Sequence, residues 1–391
     1  MKLVAIGFGQ CGCNIADEFY AVNRHASSIF GRRIEILTDA YAVNTDEADL
    51  GGFRSIPKDK HHRIVIGSLR TFGHGVGKIN VEAAKIIKES HSIISDNILT
   101  SPRFNEVDGV IAIASGGGGT GSGAIGWTVM KLKERIVKPI YAIVVLPFGY
   151  EEKGNTSYAV TNAATCIKTV EQYADAVFVL DNERFAKRDH SLAMNLKEIN
   201  RAMIGSFYDL FCAGEEKHYK YLGSKVIDAG DIRQSLEGLS AIGRGQIDLP
   251  SFFRWNKDHY REGAKEKSLV GGALEQAINN LSLGIDIEDA GKILALISAP
   301  KDITTLTALE EISLYLQERA PKAVIRIGDY PRRGKEISLT LIASKLTKVP
   351  RVEDLYQRAK VVFVQQEKID HEAKEKMAVI RGAGEGLPTL D

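Results

Sequence analysis

Short apolar runs alternate with longer amphipathic stretches through the first half of the chain. Residues 2–6 (Lys-Leu-Val-Ala-Ile), Ile34–Thr38, Arg63–Gly67, Val107–Ala114, Pro139–Leu146 and Ala176–Leu180 read as buried strands. Between them Cys13–Asn23, Lys78–Ser95, Ala124–Arg135 and Asn155–Tyr173 read as helices. This alternation predicts an α/β fold with a doubly wound, mostly parallel sheet covered on both faces. A longer helix is expected over Leu192–Lys217. Leu196, Ile199, Met203, Phe207 and Leu210 form its apolar stripe, widened by Ile204, Tyr208 and Phe211. So broad a stripe suits a helix buried between two layers.

The pattern then changes. Lys292–Ala299, Lys322–Gly328 and Glu336–Ser344 read as strands, and Ala264–Asn280 and Ile303–Ala320 as helices. They predict a smaller α+β domain of about four strands, with Arg332-Arg333-Gly334 as a hairpin turn between the last two. Beyond Pro350 come Arg351–Ala359, Val361–Val364 and the charged run Glu367–Lys376, a solvated helix face. Gly382–Asp391 reads as a frayed tail.

The 391 residues are 44% apolar and 26% charged, with a formal charge of +1. That is an ordinary globular composition, without the charge of a general nucleic-acid or membrane binder. No apolar run is long enough to span a bilayer. Met1-Lys2 runs straight into a strand, so no signal peptide is expected. Cys11, Cys13, Cys166 and Cys212 are too sparse for a disulfide framework and fit a reducing cytoplasm. The Cys11/Cys13 pair has no partner set for zinc.

Chemistry concentrates in glycine-rich loops at predicted strand ends. SGGGGTGSG, residues 115–123, follows one strand and opens a helix. Backbone without Cβ atoms lets N–H groups converge on an anion, and a helix N-terminus adds its dipole. Thr120 and Ser122 offer hydroxyl donors. No G-x-x-x-x-G-K-[ST] occurs, so no Walker lysine follows. Gly7-Phe8-Gly9-Gln10-Cys11-Gly12 fits G-x-G-x-x-G between a strand and a helix. Asn44-Thr45-Asp46 follows the second strand, as a ribose-holding acid or simply as turn residues. Gly73-His74-Gly75-Val76-Gly77 precedes a helix, and Asp181-Asn182-Glu183 ends a strand. Ligands of doubly wound sheets bind beyond such strand ends. Asp228 and Asp231 are three apart, and the spacing alone leaves them open as a helix start.

With these motifs together, the chain resembles the tubulin/FtsZ superfamily of polymerising GTPases, and within it the archaeal CetZ group. SGGGGTGSG is similar to the family's signature loop, and Gly9-Gln10-Cys11-Gly12 to its first phosphate loop. Asn44-Thr45-Asp46 and Gly73–Gly77 match its second and third loops. The resemblance implies a GTP-binding domain over residues 1–190 and a central connecting helix over 191–222. An α+β domain with a synergy loop would follow over 223–360, then a helix and flexible tail over 361–391.

It further implies a nucleotide site of Gly9, Gln10, Cys11, Asn14, Asp46, Gly73, Gly75, Gly77, Gly116–Gly119, Thr120, Gly121, Glu151, Asn155, Asn182 and Asn200. Asn182 and Asn200 would read guanine, Glu151 would meet the ribose, and Gly73–Gly77 would cover the γ-phosphate. The ligands implied are GTP or GDP, with Mg²⁺ carried by the phosphates and no metal site from the protein. Asp228 and Asp231 would be catalytic on a neighbouring subunit's GTP, in a head-to-tail filament of this chain serving cell shape or division in the cytoplasm. Adaptors are open, and neither nucleic acid nor membrane insertion is expected. Three positions depart from the family. Val226 stands where FtsZ has asparagine, Leu196 where relatives have an aromatic, and Asn155 where FtsZ has arginine. Two other readings stay open: a polymerising nucleotide-binding scaffold with little hydrolysis, and a Rossmann NAD-dependent oxidoreductase.

Overall fold

A computed structural model describes residues 1–27, 32–153, 158–187, 189–249, 262–383 and 387. Six parallel strands form the first part of the sheet: β1 (Leu3–Phe8), β2 (Leu37–Asn44), β3 (Arg63–Val65), β4 (Gly109–Ser115), β5 (Ile140–Leu146) and β6 (Ala176–Asp181). Their order, β3-β2-β1-β4-β5-β6, is that of a doubly wound sheet. β7 (Gly238–Asp248) continues it, pairing in parallel with the start of β6 through Ala176–Gly238. β8 (Lys292–Ala299), β9 (Val324–Pro331) and β10 (Glu336–Ser344) complete a ten-stranded sheet in the order β7-β10-β8-β9. The expected nucleotide and α+β halves therefore share one sheet.

Alternation along each strand divides the core into two layers. Val4, Ile6 and Phe8 of β1 join Val110, Ala112 and Ala114 of β4 on one face. Leu3 and Ala5 join Ile111 and Ile113 on the other. On the first face pack α4 (Asn80–Leu99), α5 (Thr120–Arg135) and α6 (Tyr158–Glu171), with α11 (Pro350–Ala383) laid against α6. On the second pack α1 (Gly9–Ser27) and α7 (Leu192–Ala213). α7, expected between two layers, packs on one face of the single sheet with its predicted stripe inward. Ile199, Met203, Ile204, Phe207, Leu210 and Phe211 are buried, and Phe207 meets Phe178 of β6 edge-on at 4.8 Å. Burying one such phenyl ring contributes about 1.5–3 kcal/mol.

Several expectations are corrected. α1 begins at Gly9 rather than Cys13, and α5 at Thr120 rather than Ala124, so both glycine motifs run into first helical turns. β2 lies at Leu37–Asn44 rather than Ile34–Thr38. α7 stops at Ala213, not Lys217, and Gly214 caps it. Arg332-Arg333-Gly334 is not a hairpin turn, because β8 separates β9 from β10 and pairs with both. Residues 350–383 form one helix, so the apolar and charged segments beyond Pro350 are not separate elements. Apart from residues 382, 383 and 387, the expected tail lies outside the described residues.

The β2–β3 edge is fixed by an ionic cluster. The His62 imidazole contacts Asp39 of β2 through Nε2 at 3.0 Å and Asp59 through Nδ1 at 2.7 Å. It stacks on Tyr41 with ring centres 5.4 Å apart. The hydrogen bond to Asp39 is the main cause raising its pKa above 6.5; burial opposes it, and Asp59 adds to the rise. The charged imidazole thus favours the folded state. This contribution is full below pH 6.5 and is lost as pH rises through the raised value. Urea denaturation between pH 6 and 9 should show the parent losing stability with rising pH. His62→Gln should lose measurably less over the same range.

Candidate functional site

β1 and β4 are neighbours; β1 runs directly into α1, and β4 reaches α5 through Gly116–Gly119 at the same edge of the sheet. The two helix starts therefore touch. Gly9 has φ +66°, and a Cβ there would lie 3.0 Å from the Gly121 nitrogen. With side chains the two first turns could not approach so closely, and their unpaired N–H groups would not face one volume. A Cβ on Gly118 would meet nothing within 4 Å, so that part of the stretch borders open space. The Gly116 amide is not part of such a cradle, since it donates to the Val145 carbonyl at 2.8 Å. The cradle narrows to the amides after it.

The remaining strand-end loops are tied to this one. Thr120 is buried and its hydroxyl meets Thr45 Oγ1 at 2.7 Å. Asp46 caps the short helix α2 (Glu47–Gly51), accepting from the amides of Ala48 and Asp49. Its backbone forms an isolated antiparallel β-bridge with that of His74 in the third loop, and the Glu47 amide donates to the Gly73 carbonyl at 3.2 Å. Gly73, Gly75 and Gly77 have φ of +78°, +78° and +58°, a left-handed path open to glycine. Gln10 Nε2 donates to Asp49 Oδ1 at 3.1 Å, while Asn14 is exposed one turn further along α1. Burial, and then nearby Glu151, push the Cys11 thiol up to about 12, so it stays protonated and unreactive.

At the other end of the edge, Glu151 accepts from the Phe148 amide at 3.0 Å. Asn182 is buried, and its Oδ1 has no partner among the described residues. A buried unpaired acceptor costs about 1–3 kcal/mol. The purine edge of guanine, with N1–H and N2–H donors, fits it. Asn200 is half-buried on α7, next to Arg201, which reaches Glu18 of α1 at 3.5 Å. Leu196 is half-buried on the same helix, and Asn155 lies outside the described residues.

Asp228 and Asp231 are elsewhere. They form a capping box at the start of α8 (Ala229–Ser235), with the Asp231 amide donating to Asp228 Oδ1 at 2.8 Å. α8 leads into β7 where β7 meets the first residue of β6, and its Arg233 lines a small cavity with Pro139 and Asp175, just before β5 and β6. The acids thus sit at the strand-start edge, opposite the loops. Strands of six or seven residues put on the order of 20 Å between the two edges. The helix-start reading and a chemical role are compatible, because the box uses one oxygen of each carboxylate. Asp231 Oδ1 lies 3.5 Å from Arg326 Nε, and Val226 is 48% exposed.

Three supporting residues escape sequence reasoning. Thr45 sits inside a motif noticed for its neighbours. Buried Asn162 of α6 donates through Nδ2 to the carbonyls of Lys78 at 2.8 Å, Gly118 at 3.1 Å and Gly117 at 3.4 Å, so it fastens two loops together. An asparagine among the alanines and apolar residues of Tyr158–Glu171 is the signal that could have found it. Buried Glu152 is the third. Ser122 corrects the expectation of a free hydroxyl donor: it donates back to the carbonyls of Gly118 and Gly119.

Glycine-rich first turns meeting at adjacent strand ends, a buried unpartnered amide oxygen at the same edge and no Walker lysine fit a tubulin/FtsZ-type GTPase. Comparison with known proteins agrees. Residues 2–188 match the model "Tubulin/FtsZ family, GTPase domain", and residues 189–361 match "Tubulin-like CetZ, C-terminal domain". The tubulin-like protein CetZ1 of Haloferax volcanii is 31% identical over 381 residues, 92% of each chain. Its structure as a GDP-bound monomer superposes with a TM-score of 0.78 at 29% identity, covering 92% of this chain and 98% of that one. CetZ2 of the same organism, in a GTPγS-bound protofilament, gives 0.79 at 25% identity, covering 94% and 100%. The chain belongs to the tubulin/FtsZ family and, within it, to the CetZ group. It is a polymer-forming GTPase of the cytoskeletal class.

Asn162→Ala should leave three carbonyls of the glycine loops without their donor. A loss of about 1–3 kcal/mol in unfolding free energy is expected from unsatisfied buried groups, measured by urea titration without nucleotide. GDP affinity should fall as well, since the cradle loses its support.

Proposed function

We propose that this chain hydrolyses GTP as part of a head-to-tail filament, each site being completed by Asp228 and Asp231 of the next copy. The observation that carries this reading is the placement of those acids at the strand-start edge, on the order of 20 Å from the glycine loops. Within one chain they cannot reach a phosphate held at the strand ends. Stacked head to tail, the strand-start edge of one copy meets the strand-end edge of the next, and such a contact repeats into an open filament.

In this reading the amides of Gly9–Cys11 and Gly117–Gly119, with Thr120, hold the phosphates. Gly121 keeps the two cradles in contact. Gly73–Gly77 closes over the γ-phosphate, positioned by the Asp46–His74 bridge and the Thr45–Thr120 contact. Gln10 and Asn14 line α1 beside them, Glu151 takes the ribose, and Asn182 and Asn200 read guanine. Among the described residues no group of His, Cys, Asp or Glu is placed to hold a metal. Mg²⁺ would enter with the phosphates and neutralise part of their charge. The capping box holds both carboxylates rigidly at the helix start. One oxygen of each lies outside the box, that of Asp231 beside Arg326, and from there the pair would orient and deprotonate the attacking water. No helix among the described residues is long and apolar enough to cross a membrane. A role of the filament in cell shape or division follows from the same reading.

Val226 and the contact of Asp231 with Arg326 favour a second reading, a filament that hydrolyses slowly, because an oxygen held 3.5 Å from a guanidinium is already engaged and must leave it to take a water. Phosphate release per subunit, measured against protein concentration with GTP and Mg²⁺, separates the two. Turnover should rise steeply once filaments scatter light, and a rate independent of concentration would sink the assembly-dependent reading. Asp231→Asn keeps a side-chain oxygen for the cap. It should bind GTP and assemble as the parent does, while phosphate release falls by about 10²-fold or more, as for loss of a general base.

A further inference from the structure

The loops that carry Glu151 and Asn182 are held from outside by the C-terminal helix. Glu152 follows Glu151 directly, and its side chain is 4% exposed. A carboxylate so buried needs cationic partners. Both come from α11: Arg351 forks onto the two Glu152 oxygens, and Arg358 Nη1 reaches Glu152 Oε2 at 2.7 Å. Arg358 Nη2 also donates to the Glu152 carbonyl at 3.3 Å. Arg351 Nε lies 3.4 Å from Asp181 Oδ2, at the end of β6. The other oxygen of Asp181 accepts the Glu183 amide at 3.2 Å and closes the turn that presents Asn182. Glu183 in turn accepts from the Gly149 amide at 2.5 Å, lacing the two loops together.

We propose that Arg351, seconded by Arg358, is a positioning residue for guanine recognition: through Glu152 and Asp181, α11 sets the place of the base-reading turn. The proposal rests on the reading of Asn182 as a guanine-facing side chain. Arg351 touches no part of the ligand in this scheme. Its guanidinium joins two carboxylates from different loops, which a point-charged ammonium could not do with the same geometry. The same helix carries Val352 and Leu355 into the core, so the guanidinium is held by a packed element rather than a mobile arm. The C-terminal region thereby acts on the specificity of a site built by the first six strands.

The test compares GDP with IDP, which lacks the exocyclic amine, by isothermal titration of the full chain, with thermal melting of the nucleotide-free protein alongside. The parent should prefer GDP by about tenfold, the scale of one hydrogen bond to a buried acceptor. Asn182→Ala should lower that ratio severalfold, any remainder being what Asn200 supplies. Arg351→Met should lower the ratio severalfold towards the Asn182→Ala value. If Arg351→Met folds poorly, Arg351→Met with Glu152→Gln removes the buried charge along with its partner and should show the same reduced ratio. A lowered melting temperature with the GDP/IDP ratio intact would overturn the positioning role while leaving the reading of Asn182 standing. A ratio unchanged by Asn182→Ala would instead overturn that reading, and the proposal with it.

Discussion

The loop edge of this molecule is organised by the contact between two helix beginnings. α1 and α5 rise from adjacent strands, and Gly9 and Gly121 let their first turns meet with backbone against backbone. A Cβ at Gly9 would lie 3.0 Å from the Gly121 nitrogen and one at Gly121 2.9 Å from the Phe8 carbonyl, so the two turns meet with little room for side chains between them. Everything else at that edge is arranged around this meeting. The Thr45–Thr120 hydroxyl contact, the Asp46–His74 bridge and the three carbonyls gathered by Asn162 each bring another loop to the same place. Phosphates can be held there by dipoles alone, which is why the missing Walker lysine is no deficiency.

A continuous sheet has a second consequence. Because β7 adds to β6 in parallel, the segment before β7 must lie at the strand-start edge, and Asp228 and Asp231 are in that segment. Strand direction, not loop flexibility, separates the acids from the cradle. Carboxylates that lie across their own sheet from the glycine loops could reach a ligand there only on another copy, and the proposed filament draws on that separation. The capping box then has two effects. It stabilises α8, and it fixes the orientation of two carboxylates at a surface where a neighbour would dock.

Much of this was readable from residues alone, and what was not has physical reasons. The glycine loops and the α7 stripe are local signals, and both fall where the pattern places them. β7 was missed because Gly243, Arg244 and Gly245 interrupt its apolar alternation; its glycines lie against α9 (Glu262–Asn279), where a Cβ would strike the carbonyls of Ala273 and Ala277. β2 was displaced because Thr38 and Asp39 break its run, although Asp39 is there to hold His62. Arg332–Gly334 looked like a hairpin turn because turn chemistry reports a reversal and not which strands pair. The Glu152 cluster was invisible, since its partners stand about 200 residues away and no periodicity links them.

The two ends of the site therefore tolerate change differently. At the phosphate end the requirement is the absence of side chains, and almost any Cβ at Gly9 or Gly121 intrudes on backbone. Little else about the neighbouring residues matters, because amides are supplied by every residue but proline. At the Asn182 end the proposed requirement is a particular amide in a particular place, and place depends on neighbours. Asn182 is fixed by Asp181, Asp181 by Arg351, and Arg351 by the packing of a helix more than 160 residues further along the chain. Leu196 fits the same logic, since a half-buried aliphatic residue cannot stack on a base as a ring does. If the proposed site holds a purine there, less stacking would place discrimination more heavily on hydrogen bonds, and so on whatever keeps the Asn182 turn in place.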